Sequence, residues 1–246
     1  MTQKVALVTG SAAGIGAAIA KRLAKDDIAI GLLDLNLEAT SLVAEEIRTA
    51  GGKAIALQAS IADRAQVEAA ADALRAEFGP ITIVVNNAGI TGVVPFLEIT
   101  EEQWDTMLGI NLKGTVIVTQ TVLPDMIEKG WGRVVNISSS SAQSGSAGMT
   151  HYSASKGGMI ALTKSLAQEF GPQGITCNNI PPRFVMNTIM SEATLSEEVK
   201  ERMTKAGPIT RAGAPEDIAG AAAWLVSDEA GYVTGQTIGV NGGRYI

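Results

Sequence analysis

The chain has 246 residues, a formal net charge of −6 and a 46% hydrophobic share, which suits one α/β domain with a large core and excludes a disordered chain. Its mildly acidic balance carries no long run of like charges and no basic stripe interleaved with aromatics, so nucleic acid is not an expected partner. No apolar run approaches the roughly 18 residues of a membrane span.

The chain enters an apolar run at Val5, which leaves no room for a signal peptide before a first strand. Its one cysteine, Cys177, excludes an intramolecular disulfide and reads as a small core residue. These features fit a reduced, cytoplasmic compartment.

Residues 5–8 are short, apolar and β-branched in character, as in a strand buried on both faces. Thr9-Gly10-Ser11-Ala12-Ala13-Gly14-Ile15-Gly16 follows, then helical character over 17–25. Glycines let a backbone approach a pyrophosphate, and a helix N-terminus offers free N–H groups. The spacing is G-x-x-x-G-x-G, not the commoner G-x-G-x-x-G. The same glycines could serve only to pack helix on strand. The next strand, 28–33, ends at Asp34, where the dinucleotide fold places its ribose-binding carboxylate. Asp34 could instead cap the next helix, a task for which Asn36 competes. Ala12, Ala13 and Leu35 supply no cation for a 2′-phosphate, so NAD(H) is expected in preference to NADP(H).

A helix over 37–50, a strand over 53–58, then Ser60-Ile61 and a helix over 64–78 capped by Asp63 come next. The buried-strand run 81–85 ends in Asn86-Asn87-Ala88-Gly89, at the usual ligand edge of an open α/β sheet, although such residues also make ordinary turns. A helix begins over 101–108 and its continuation carries Asn111; strand 132–137 ends in the serine run 138–141. Further strands are expected over 175–180 and 237–240, and a helix over 215–227 with Pro215 at its start. The alternation describes a Rossmann-like, doubly wound parallel sheet of about seven strands with helices on both faces, in a single domain spanning 1–246.

Tyr152 and Lys156 lie four apart in a segment that opens a helix, so phenol and ammonium share a face. A nearby cation lowers a phenol's pKa from about 10, which could make a general acid/base of the pair. A solvated lysine beside a half-buried tyrosine is the ordinary reading of the same spacing.

Together these motifs resemble the short-chain dehydrogenase/reductase family. Thr9-Gly10-x-x-x-Gly14-x-Gly16, Asn86-Asn87-Ala88-Gly89, Asn111, the serine run and Tyr152-x-x-x-Lys156 occur in that family's order and approximate spacing. In the family the catalytic serine usually precedes the tyrosine by thirteen residues, which selects Ser139, with Ser138 next. The resemblance implies that Tyr152 exchanges a proton with the substrate oxygen and that Ser139 hydrogen-bonds that oxygen. It implies that Lys156 lowers the Tyr152 pKa and binds the nicotinamide ribose, and that the Asn111 carbonyl holds a relay water. It implies cofactor contacts at Gly10, Ala13, Gly14, Ile15, Gly16, Asp34, Leu35, Ser60, Ile61, Asn87, Ala88, Gly89, Tyr152, Lys156, Pro182, Val185 and Thr188. No metal is needed, and the single histidine argues against a His-based zinc site.

The chain departs from that pattern in places. Pro182-Arg183 stands where Pro-Gly is usual in the family, with Arg183 replacing the glycine and either pointing to solvent or lying at the pocket mouth, where it would favour an anionic or polar substrate. Ser60-Ile61 replaces an acid followed by Val beside the adenine, and Asn241 replaces an aspartate. Residues 186–210, with Met186, Met190 and Met203, correspond to a substrate lid. His151 is expected to be a surface or interface residue, or less often a substrate contact.

The function read here is NAD(H)-dependent interconversion of a secondary alcohol and a ketone. The alternative is an NADPH-dependent 3-oxoacyl-(acyl-carrier-protein) reductase, against which Asp34 and the net acidity speak. A catalytically silent nucleotide-binding scaffold is the non-enzyme reading. A small-molecule substrate and a homotetramer, or a dimer, complete the expectation.

Overall fold

The computed structural model describes residues 3–186, 196–205 and 207–244. Strands β1 (Val5–Thr9), β2 (Ala29–Asp34), β3 (Ala54–Gln58), β4 (Ile83–Asn86), β5 (Gly132–Ile137) and β6 (Ile175–Ile180) form one sheet in the order β3-β2-β1-β4-β5-β6. Every pair in it is parallel, and Leu7 of β1 lies between Gly31 and Val84.

The apolar runs are continuous because both faces are covered. Ala6 and Val8 enter one core with α1 (Gly14–Ala24), α2 (Leu37–Thr49) and α9 (Pro215–Val226). Val5 and Leu7 point the other way, into a core built with α3 (Arg64–Phe78) and α5 (Gly114–Lys129). The remaining helices are α4 (Glu101–Leu108), α6 (Ser141–Ser144), α7 (Thr150–Phe170) and α8 (Glu197–Lys205). Local signals behave as the sequence suggests: Asp63 caps α3 by accepting from the Gln66 N–H, and Asn36, not Asp34, caps α2 by accepting from the Ala39 N–H.

The sheet of the described residues has six strands, where about seven were expected. Residues 237–240 do not form the last strand. Thr237 makes a single bridge to Asn179 of β6, with Gln236 and Ile238 bonded to the Asn179 backbone. Glycines at 235 and 239, the first with φ of +70°, flank this contact and limit its extension.

At the edge where the strands begin, the Trp131 ring lies between the cations of Lys4 and Arg133, at 4.4 and 4.3 Å. Lys4 also pairs with Asp228 at 3.0 Å. The other edge, where the strands end, carries the motif residues. Strand order reverses between β1 and β4, and the crevice that opens there is the usual ligand site of such sheets.

Candidate active site

Two loops meet at the reversal point. The Thr9 hydroxyl accepts from the N–H groups of Asn87 and Ala88 at 3.0 and 3.1 Å. The Asn87 side-chain amide donates to the carbonyls of Thr9 and Gly10, both at 3.0 Å. Gly10 has φ of +66°, and a Cβ there would lie 2.8 Å from Ala88 Cα; a Cβ on Gly16 would lie 2.1 Å from the Gly10 carbonyl oxygen. Only glycine fits at these two positions. The loop leads into α1, whose first turn has neither a side-chain cap nor an acidic residue. Free N–H groups beside a backbone without side chains suit a pyrophosphate. Asp34 borders the same loop, accepting from the N–H groups of Ala12 and Asn36, each at 3.1 Å. Beyond it a groove of about 760 Å³ is lined by Leu35, Asn36, Leu37, Glu38, Ser41 and Gln58, with no cation among them. These residues fit an adenine dinucleotide.

The proton-transfer groups gather at the ends of β4 and β5. Tyr152 and Lys156 are one turn apart near the start of α7, 6% and 3% exposed. Ser139 follows β5, and its hydroxyl is near enough to the Tyr152 phenol to lower the phenol's pKa. Lys156 Nζ donates to the Ile137 carbonyl at 3.1 Å and lies 3.6 Å from Met159 Sδ. Burial lowers the Lys156 pKa from 10.5 to about 8. The Tyr152 pKa is raised, not lowered as expected from Lys156: burial of the phenol outweighs the lowering effect of Ser139, and the Lys156 ammonium is directed at Ile137.

Asn111 sits in a π-helical turn, Gly109–Lys113, between α4 and α5. Its side chain accepts from the Ile90 N–H at 2.8 Å and donates to the Ile90 carbonyl at 2.9 Å. Its own carbonyl, expected to hold a water, accepts from the Thr115 hydroxyl at 2.9 Å. Carbonyl oxygens have a second lone pair, so this contact leaves that role open. Gly89 lies against both Asn111 and Lys156: a Cβ there would be 2.9 Å from Asn111 Oδ1 and 3.2 Å from Lys156 Nζ. Ser155 is a site residue that the sequence reading missed. Its hydroxyl accepts from Asn111 Nδ2 at 3.0 Å and donates to the Tyr152 carbonyl at 2.7 Å. A serine three residues after a helical tyrosine was the available signal.

Further expected residues have their own contacts in the fold. The Ile61 side chain packs on Gly114 of α5, and the Ser60 hydroxyl accepts from the Ala62 N–H at 3.3 Å. The Pro182 carbonyl accepts from the Ser140 N–H, and Val185 bridges Gly213. Arg183 is half-buried and borders a cleft of about 330 Å³ with Phe184, Ile209, Arg211 and residues 239–243. Thr188 and Met190 lie outside the described residues, as do 187–195 and 206 of the expected lid. His151 is not at the surface. It is 2% exposed, with Nε2 3.3 Å from the place a Cβ would take on Gly92, because the loop after β4 folds over this side of α7. Among the described residues no cluster of His, Cys, Asp or Glu could hold a metal ion, and no helix is long and apolar enough to cross a membrane.

Comparison with known proteins agrees with this geometry. Residues 10–244 match a family model described as enoyl-(acyl carrier protein) reductase. Nodulation protein G of Azospirillum brasilense is 39% identical over 244 residues, covering 99% of this chain and 98% of that protein. The 3-oxoacyl-(acyl-carrier-protein) reductase of Staphylococcus aureus is 40% identical over 245 residues, with the same coverage. Acetoacetyl-CoA reductase of Cupriavidus necator is 36% identical over the full length of both chains. A crystal structure of gluconate 5-dehydrogenase from Burkholderia cenocepacia, in complex with NADP and tartrate, superposes with a TM-score of 0.92 at 32% identity, covering 99% of this chain and 96% of that one.

The Lys156 shift has a measurable sign. Between about 8 and 10.5 the unfolded chain holds the proton that the folded chain has lost, so this group's contribution to stability rises with pH across that window. NMR of lysine labelled at Cε should show one resonance titrating near 8, absent in Lys156→Met. A Lys156 resonance titrating with the surface lysines would contradict the burial argument.

Proposed function

The chain belongs to the short-chain dehydrogenase/reductase family, and from that premise we propose that it interconverts secondary alcohols and ketones with NAD(H), with 3-oxoacyl thioesters as the ketone substrates. It is an oxidoreductase acting on CH–OH donors. The observation that carries the mechanism is the buried Tyr152 phenol, whose pKa Ser139 lowers, one turn from buried Lys156.

A bound nicotinamide supplies the hydride in reduction, or accepts it in oxidation. Ser139 hydrogen-bonds the carbonyl oxygen of the ketone and holds it beside the phenol. Tyr152 gives that oxygen its proton. Burial keeps the phenol protonated, the form that ketone reduction consumes. In the oxidative direction the phenolate takes the proton back. Lys156 meets the cofactor ribose, and its cation favours the phenolate once the two are brought together.

The substrate class draws its support from the relatives. Two of those compared are named for 3-oxoacyl or acetoacetyl thioester reduction, which weighs more than the unspecified alcohol expected from the sequence. An acidic carrier protein is the less favoured thioester donor, since this chain carries a net charge of −6. The cofactor reading rests on Asp34 and Glu38 bordering a groove without cations, although one compared structure contains NADP. The cytoplasmic location expected from the sequence belongs to the same reading.

Acetoacetyl-CoA and simple ketones, each assayed with NADH and NADPH, test both parts. Turnover of acetoacetyl-CoA with NADH is expected, and Asp34→Ala should move preference toward NADPH. Preference for NADPH in the unaltered enzyme would overturn the cofactor reading, and turnover of simple ketones alone the substrate reading. Tyr152→Phe should retain NADH binding and lose roughly 10²–10⁴-fold in kcat; undiminished turnover would remove the mechanism. We also propose a homotetramer or dimer, supported by Ile127, Trp224 and Tyr232 being exposed in the single chain. Light scattering coupled to size exclusion should give a multiple of 25.4 kDa; a monomer would reject it.

A further inference from the structure

The serine run after β5 holds more hydroxyls than the mechanism uses. Ser138 is buried, its N–H bonded to the Ile180 carbonyl, while its hydroxyl has no partner. The Ser140 N–H bonds the Pro182 carbonyl, and its own carbonyl accepts from the Ser144 hydroxyl. Ser141 alone of the three turns back onto Ser139: its N–H donates to Ser139 Oγ at 3.2 Å, and its hydroxyl lies 3.0 Å from the same oxygen.

We infer that Ser141 is a positioning residue for Ser139, donating two hydrogen bonds to the Ser139 oxygen and so turning its proton toward the oxygen of Tyr152 or of the substrate. A serine hydroxyl has two acceptor lone pairs and one proton. With both lone pairs met by Ser141, the Ser139 hydroxyl acts as a donor. Donors placed on a hydroxyl oxygen polarise it, which strengthens the bond it gives. Ser139 lowers the Tyr152 pKa, as a hydroxyl free to donate to the phenolate would. The charged or titratable side chains nearest Tyr152 along α7 are His151 and Lys156, and the effects resolved on the phenol are burial and Ser139 alone. The N–H and hydroxyl of Ser141 both meet Ser139 Oγ, so Ser141 acts on Tyr152 through Ser139.

This inference rests on the roles proposed for Ser139 and Tyr152. Ser141→Ala keeps the N–H donor and removes the hydroxyl; Ser141→Thr restores a hydroxyl. Initial rates with acetoacetyl-CoA and NADH across pH, with melting temperature as a control, make the test. Ser141→Ala should lower kcat about tenfold, the scale of one positioned hydrogen bond, with KM little changed. A weaker Ser139 bond raises the phenol's pKa, so the Tyr152 limb of the pH profile should move to higher pH. Ser141→Thr should bring both back toward wild type. Unchanged kcat and limb in Ser141→Ala would overturn the inference. So would a fall in kcat that follows melting temperature while the limb stays put. Ser139→Ala separates the two readings. If it is inactive while Ser141→Ala is unaffected, only the Ser141 role fails; if it is fully active, the proposed mechanism fails and this role with it.

Discussion

The site depends on the clamp between the ends of β1 and β4. These strands stand side by side where the sheet order reverses, so the chains leaving them diverge and open a crevice. Thr9 and Asn87 close its base by satisfying each other's backbone groups. The contact is close enough that Gly10 cannot carry a side chain. The chain beyond Asn87 then runs past Lys156 at Gly89 and is held by Asn111 at Ile90. The glycine loop and the proton-transfer groups are thereby fixed to one another through a few residues. Hydride and proton chemistry need that fixed relation, because misplacement by about 1 Å is costly in rate.

Desolvation acts on both ends of the Tyr152–Lys156 pair and in opposite directions. It holds the phenol protonated and loosens the proton on the ammonium, so both shifts favour the neutral forms. A carboxylate beside Lys156 would stabilise the cation but would also compete for its hydrogen bonds. Here the ammonium has a carbonyl and a weakly accepting thioether instead. Charge brought beside the pair can therefore change its protonation, a useful property for groups that must pass a proton in both directions.

Much of this architecture was legible before any coordinates. Buried parallel strands read as continuous apolar runs, and β5 and β6 have the expected bounds. Asp63 and Asn36 announced helix starts through chemistry local to a few residues. What escaped depends on contacts between elements. Asn86 and Asn136 look like turn or strand-end amides, yet they are register partners in neighbouring strands, bonded side chain to side chain at 2.8 Å. Asn136 continues that polar contact to Thr163 of α7. His151 was misjudged because a loop more than fifty residues earlier covers it. The direction of the Tyr152 shift was missed for a similar reason: spacing shows that a lysine is near, while burial is set by everything packed around the helix.

The tension between the relatives and Asp34 has a physical basis. Identity of 36–40% over nearly the whole chain reports a shared backbone and a shared family. On the NAD(H) proposal, cofactor choice is carried by a far smaller set of atoms at the end of β2. A 2′-phosphate there would enter a groove bordered by Asp34 and Glu38, and no lysine or arginine lines it. Like charges at short range are unfavourable unless a cation intervenes. A change of side chain at these positions leaves the packing of β1, β2 and α1 intact, so selectivity can diverge while the fold and the Tyr152 machinery stay constant. For the same reason, whole-chain similarity carries less weight on this point than the charge of the groove itself.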